Sequence, residues 1–144
     1  MWRILLVEDN PADVRLVIEA LKARHLLCQV IAVENGEKAL TLLRREAKDA
    51  SASPPDLILL DLNLPQMNGH TVLAILKADP LLYTLPVLVL TTSRSKEDEK
   101  QAYQLGAAHF LVKPDSWAGY QEVASVIGSL CAGDARSLYT GELS

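Results

Sequence analysis

Short apolar runs and amphipathic stretches alternate five times along the chain. Ile4 to Val7 is entered from Trp2-Arg3 and ended by Glu8-Asp9-Asn10-Pro11. Cys28 to Val33, Leu57 to Leu60, Val87 to Leu90 and His109 to Val112 repeat the theme. Continuous apolar runs this short predict strands buried on both faces, as in a parallel sheet. Helical spacing follows each one. Asn10 before Pro11 reads as an N-cap and a first helical position, with Asp13 near the positive helix end. Val14, Val17, Ile18 and Leu21 then trace a buried helical stripe. A second helix starts near Asn35-Gly36, with Ala39, Leu40, Leu42 and Leu43 on its apolar side. A third covers about Thr71 to Ala78, after a loop holding Pro65, Asn68 and Gly69. The fourth runs from Lys96 to Leu105 and is stopped by Gly106. The fifth starts after Asp115-Ser116 and reaches about Cys131.

Five βα units in 144 residues predict one doubly wound α/β domain. Right-handed crossovers make a flavodoxin-like (βα)5 sandwich with parallel strand order 2-1-3-4-5 the expected architecture. Residues 1–131 are assigned to this domain and 132–144 to a polar C-terminal tail, which leaves no length for an output domain. The segment 48–55, small, polar and proline-containing, reads as a tolerated surface insertion ahead of a partner contact.

Composition narrows the function. Apolar residues make up 49% and charged residues 22%, a globular balance, and the formal charge is −4. An acidic chain without Lys or Arg runs speaks against nucleic-acid binding. There is no apolar stretch near the roughly 18 residues a membrane span needs, and acids follow the first apolar run too soon for a signal peptide. Cys28 and Cys131 lie far apart, outside any zinc or disulfide spacing. A cytoplasmic protein is expected.

Polar residues end four of the five strands. Glu8 and Asp9 follow strand 1, Asp61 follows strand 3, Thr91 and Thr92 follow strand 4, and Lys113 follows strand 5. In a parallel sheet these ends share one edge, and strands 1 and 3 flank the switch point where ligands bind. Three converging carboxylates raise one another's pKa unless a cation compensates. An all-oxygen donor set points to Mg²⁺ or Mn²⁺. With a hydroxyl from Thr91 or Thr92 and the Lys113 ammonium, these are parts for handling a phosphoryl group, with Asp61 as nucleophile. Taken singly, each residue has a bland reading as a helix charge, cap, turn residue or solvated lysine. Their shared position along one edge outweighs it.

Leu6-Val7-Glu8-Asp9-Asn10, Leu59-Leu60-Asp61-Leu62-Asn63-Leu64-Pro65, Leu90-Thr91-Thr92-Ser93 and Val112-Lys113-Pro114 resemble a two-component response regulator receiver domain across residues 1–131. Within that family, Glu8 to Asp13, the insertion before strand 3 and the Asp61 loop are most similar to single-domain regulators that partner cyanobacterial and bacterial phytochromes. The resemblance implies that Asp61 is the phospho-acceptor. Asp9 and Asp61 would be metal ligands, Glu8 would act mainly through water, and the Asn63 backbone carbonyl would complete the protein's share. Thr91 would be the switch hydroxyl, Thr92 the small residue beside the phosphodonor's path and Lys113 the phosphate-pairing lysine. The Lys113–Pro114 bond would be cis. Phe110 would hold the switch-aromatic position in place of the more common tyrosine.

The resemblance further implies a sensor histidine kinase partner, a phytochrome, and a regulator that promotes its own phosphotransfer and dephosphorylation without being an enzyme in the ordinary sense. With no output domain expected, the signal would leave through the face of helix 4, strand 5 and helix 5. Tyr103, Trp117, Tyr120 and Val123 offer apolar surface there for a homodimer, or alternatively partial core. Two other functions are weighed. An aspartyl-phosphate phosphatase would need a second aspartate two positions after Asp61, where Asn63 stands. A receiver-fold adaptor that no longer takes phosphate would have lost an acid, Thr91 or Lys113.

Overall fold

The structure, a computed structural model, describes residues 1–132. The expected tail starts one residue too early, since Ala132 still belongs to the last helix; its remainder, 133–144, lies outside the described residues. Five strands alternate with five helices in the order β1 (Trp2–Val7), α1 (Pro11–Ala23), β2 (Cys28–Val33), α2 (Gly36–Ala47), β3 (Leu57–Leu60), α3 (Gly69–Ala78), β4 (Val87–Thr91), α4 (Lys96–Gln104), β5 (His109–Val112) and α5 (Trp117–Ala132). All pairings are parallel and the sheet order is β2-β1-β3-β4-β5, the flavodoxin-like arrangement.

Strand alternation explains why both faces are covered. Leu5, Val7, Ile58, Leu60, Val87, Val89 and Phe110 join one apolar cluster with residues of α2, α3 and α4. The intervening Ile4, Leu6, Leu57, Leu59, Leu88 and Leu90 join the other, with α1 and α5. Period-two side-chain direction therefore sends each strand's residues into two separate cores. Continuous apolar runs were the sequence sign of this arrangement.

Helix starts are fixed by side-chain caps. The Asn10, Asn35, Asn68 and Ser95 side chains accept the Ala12, Lys38, Thr71 and Asp98 amides. The Asn68 cap begins α3 at Gly69, two residues before the expected Thr71. At the end of α4, Gly106 turns the chain at φ 106°, where a Cβ would be strained. Segment 48–55 enters β3 at the sheet's amino edge, opposite the carboxylates. There Asp56 accepts the Arg3 amide at 2.8 Å.

Candidate functional site

Register builds the site. Val7 pairs with Leu60, so the next residues, Glu8 and Asp61, leave adjacent strands side by side. The Asp61 amide donates to the Val7 carbonyl at 3.1 Å and the Glu8 amide to the Val33 carbonyl at 2.9 Å. One carboxylate oxygen from each of Glu8, Asp9 and Asp61 lies within 4.8 Å of the others. Glu8 and Asp61 are buried, whereas Asp9 faces solvent. The Asn10 amide donates to Glu8 Oε2 at 3.0 Å, and the Asn63 amide donates to Asp61 Oδ1 at 3.1 Å.

Lys113 reaches into this group from the end of β5. Its side chain is only 7% exposed, and Nζ lies 2.5 Å from Glu8 Oε1, 2.9 Å from Asp13 Oδ2 and 3.1 Å from Asp61 Oδ2. An ammonium has three donors, and each has a carboxylate. Burial pulls the lysine pKa down, but hydrogen bonds to Asp13 and Glu8 and the Asp61 charge overcome it and hold the pKa above the usual lysine range. Glu8 moves the other way from an ordinary carboxylate. Burial raises its pKa, and the nearby Asp61 charge adds to this against the lowering effect of Lys113 and the Asn10 amide.

Opposite Lys113, the Asn63 side chain bridges two loops. Its Nδ2 donates to Thr92 Oγ1 at 3.1 Å and, at 3.4 Å, to the buried hydroxyl of Thr91. Thr91 is the last residue of β4, paired with Val112, rather than the first residue after the strand. The Lys113 amide donates to the Thr91 carbonyl at 2.7 Å, which couples the two residues through the backbone. Ser93 turns away from the pocket. Its hydroxyl donates to Asp98 Oδ2 at 2.6 Å, while His70 Nε2 meets Asp98 Oδ1 at 3.3 Å, fastening the start of α4 to α3.

These two hydrogen bonds, that of Ser93 first, hold the Asp98 pKa below the ordinary carboxylate value. Stability from such a group is present above the unfolded-chain pKa and is lost as pH falls through the lower folded value. A ¹³C-detected titration should place the Asp98 midpoint below that of a free aspartate in wild type. In Ser93→Ala it should rise. An unmoved midpoint would contradict the Ser93 contribution.

Several expectations need correction. Among the described residues no peptide bond is cis, so Lys113–Pro114 is trans. This is the isomer an X–Pro bond favours by roughly 0.5–1 kcal/mol. Tyr120 and Val123 are core residues packed with α1 and the sheet, not surface; they sit on the inward side of α5. Tyr103 and Trp117 remain exposed, at 46% and 43%. Phe110 is buried at 9% beside Val89, Ala102 and Ala107. Asp13 reads in the sequence only as a helix-terminal charge, yet it is one of the three partners of Lys113. It sits in the first turn of α1, three residues past the Asn10 cap. How far Lys113 reaches from β5 is visible only in three dimensions.

The response regulator receiver domain model matches residues 4–120, a span that includes every candidate site residue. The chain belongs to the response regulator receiver family. The receiver is 43% identical over 110 residues to response regulator Rcp1 of Synechocystis sp. PCC 6803, covering 76% of this chain and 75% of Rcp1. It superposes on the phosphorylated cyanobacterial phytochrome response regulator RcpA with a TM-score of 0.78 at 42% identity, covering 88% and 90% of the two chains. The Mn²⁺-bound form of Rcp1 gives 0.79 at 38% identity over 90% and 93%. The receiver's Glu8, Asp9 and Asp61 form an acidic triad of hard oxygen donors, close enough together to hold one divalent cation. No helix among the described residues is long and apolar enough to cross a membrane.

Proposed function

We propose that this receiver takes a phosphoryl group onto Asp61 from a phosphohistidine of a sensor histidine kinase. The observation that carries this reading is the position of the buried Asp61 carboxylate, 3.1 Å from the Lys113 ammonium on one side and within the Glu8–Asp9–Asp61 triad on the other. An Asp61 oxygen attacks phosphorus, the P–N bond to the histidine breaks, and the imidazole nitrogen takes up a proton. The product is an acyl phosphate. Asp9 and Asp61 would ligate Mg²⁺ or Mn²⁺, with Glu8 acting through water and the Asn63 carbonyl completing the set. The bound ion supplies neutralising charge for the transferring oxygens. Lys113 binds a phosphoryl oxygen, and the Thr91 hydroxyl donates to another. The receiver promotes its own phosphorylation and dephosphorylation without turning over a separate substrate.

Thr91 is also the switch. Drawn toward the phosphoryl oxygens, it loosens from Asn63, and Phe110, two positions behind on the paired strand, repacks with it. The change emerges on the face formed by α4, β5 and α5. There the exposed Tyr103 and Trp117 are the apolar contacts of a symmetric homodimer. Likeness to Rcp1 and RcpA, the latter described as a phytochrome response regulator, supports a phytochrome-type kinase as donor, and a receiver that meets such a kinase works in the cytoplasm. The functional unit is the receiver over residues 1–131.

Acetyl phosphate and Mg²⁺ should add the mass of one phosphoryl group to wild type and none to Asp61→Asn. Beryllofluoride in place of acetyl phosphate should shift wild type toward dimer in light scattering. Phosphorylation that persists in Asp61→Asn would refute the acceptor assignment.

A further inference from the structure

Lys113 has three carboxylate partners, but only two of them belong to the cation-competent triad. Glu8 and Asp61 must serve both the ammonium and a divalent cation. When a cation occupies the triad, its charge repels Lys113 and draws on the oxygens that hold it. Asp13 lies outside the triad, in the first turn of α1 and 2.9 Å from Lys113 Nζ. The positive helix end and the Asn10-capped turn fix the Asp13 backbone. On the facing helix α5, Tyr120 is buried in the core that packs α5 against α1, which backs this turn.

We propose that Asp13 is a positioning residue that keeps the Lys113 ammonium beside Asp61 when a divalent cation claims Glu8 and Asp61. Lys113 then stays within reach of the incoming phosphoryl oxygens without competing for the cation's ligands. Lacking Asp13, the ammonium either contends with the cation for Glu8 and Asp61 or swings out to solvent. The inference rests on the reading of Asp61 as a cation-assisted phosphoryl acceptor. It adds a fourth acid to that site.

The test follows the ammonium itself. In protein carrying ¹⁵N-lysine, the Lys113 NH₃⁺ signal, assigned by its absence in Lys113→Met, is followed during Mg²⁺ titration. Wild type should keep a sharp, slowly exchanging Lys113 signal at saturating Mg²⁺. In Asp13→Asn the signal should persist without Mg²⁺ and broaden into solvent exchange as Mg²⁺ binds. The rate of phosphorylation by acetyl phosphate at saturating Mg²⁺ should drop roughly tenfold in Asp13→Asn, the scale of one hydrogen bond to a charged group. An Asp13→Asn signal as protected as wild type at saturating Mg²⁺ overturns the proposal, even if phosphorylation slows. Failure of wild type to take up phosphate would instead refute the acceptor reading, and the ammonium signal would still decide the role of Asp13.

Discussion

Replacing Lys113 with methionine should destabilise the metal-free protein at neutral pH by about 3–5 kcal/mol, the usual cost of removing one partner from a buried ionic cluster. Methionine fills a similar volume, so the loss is electrostatic rather than a packing defect. Glu8 and Asp61 are buried and lie side by side, and Asp13 is only partly exposed. Among the described residues Lys113 is the cation paired with these three neighbouring negative charges, and its removal leaves them unbalanced. Two further results would identify the cause. The Glu8 pKa, already raised by burial, loses the lowering effect of Lys113 and rises further. Stability tied to such groups is full below the unfolded carboxylate value and is lost as pH rises through the folded one. The deficit should therefore shrink as urea unfolding is moved from pH 7 toward pH 5. Mg²⁺ should also stabilise Lys113→Met more than wild type, because the ion no longer contends with an ammonium for the same oxygens and binds the native state more tightly. A deficit independent of both pH and Mg²⁺ would mean that Lys113 contributes packing alone.

That prediction draws on residues of unequal legibility in the sequence. Glu8, Asp9, Asp61, Thr91 and Lys113 could be placed together because each ends an apolar run, and a parallel sheet puts all such ends on one edge. The two cores were implicit in the same runs, since only a strand covered on both faces can be apolar at every position. Asp13 was hidden for a different reason. On the helix it is indistinguishable from a charge that favours the N-terminus, and its partner lies 100 positions away, just past the end of β5. Tyr120 and Val123 were ambiguous because α5 is apolar around much of its circumference, with no polar stripe to mark its outer side. The resemblance brings Asn63 into the site through its backbone carbonyl, not through its side-chain amide. Its bridge to Thr91 and Thr92 depends on a rotamer that the sequence does not encode.

Gly69 is a further residue whose importance only the structure reveals, and its substitution should affect chemistry more than stability. A Cβ built on Gly69 would lie 2.4 Å from the Asp61 carbonyl oxygen and 2.6 Å from Leu62 Cα. Both are backbone atoms of the acceptor loop, so no side-chain rotation can relieve the clash. The Gly69 amide also donates to the Leu62 carbonyl at 2.9 Å, which holds the start of α3 against that loop. Gly69→Ala must push the Asp61–Leu62 peptide outward. The overpacking should cost about 1–3 kcal/mol. Displacing the Asp61 carboxylate relative to Lys113 and the triad should slow phosphorylation by acetyl phosphate roughly 10²-fold, the scale of an ångström's misplacement. Gly36→Ala is the matched control. Its Cβ would meet Val72 Cγ2 at 2.3 Å, a side-chain atom on the α2–α3 contact rather than the acceptor loop. It should lower the urea midpoint while leaving the phosphorylation rate near wild type. Equal rates for the two variants would show that the approach of α3 does not set the position of Asp61. A rate lost only in Gly69→Ala would make this close backbone contact part of what aims the carboxylate.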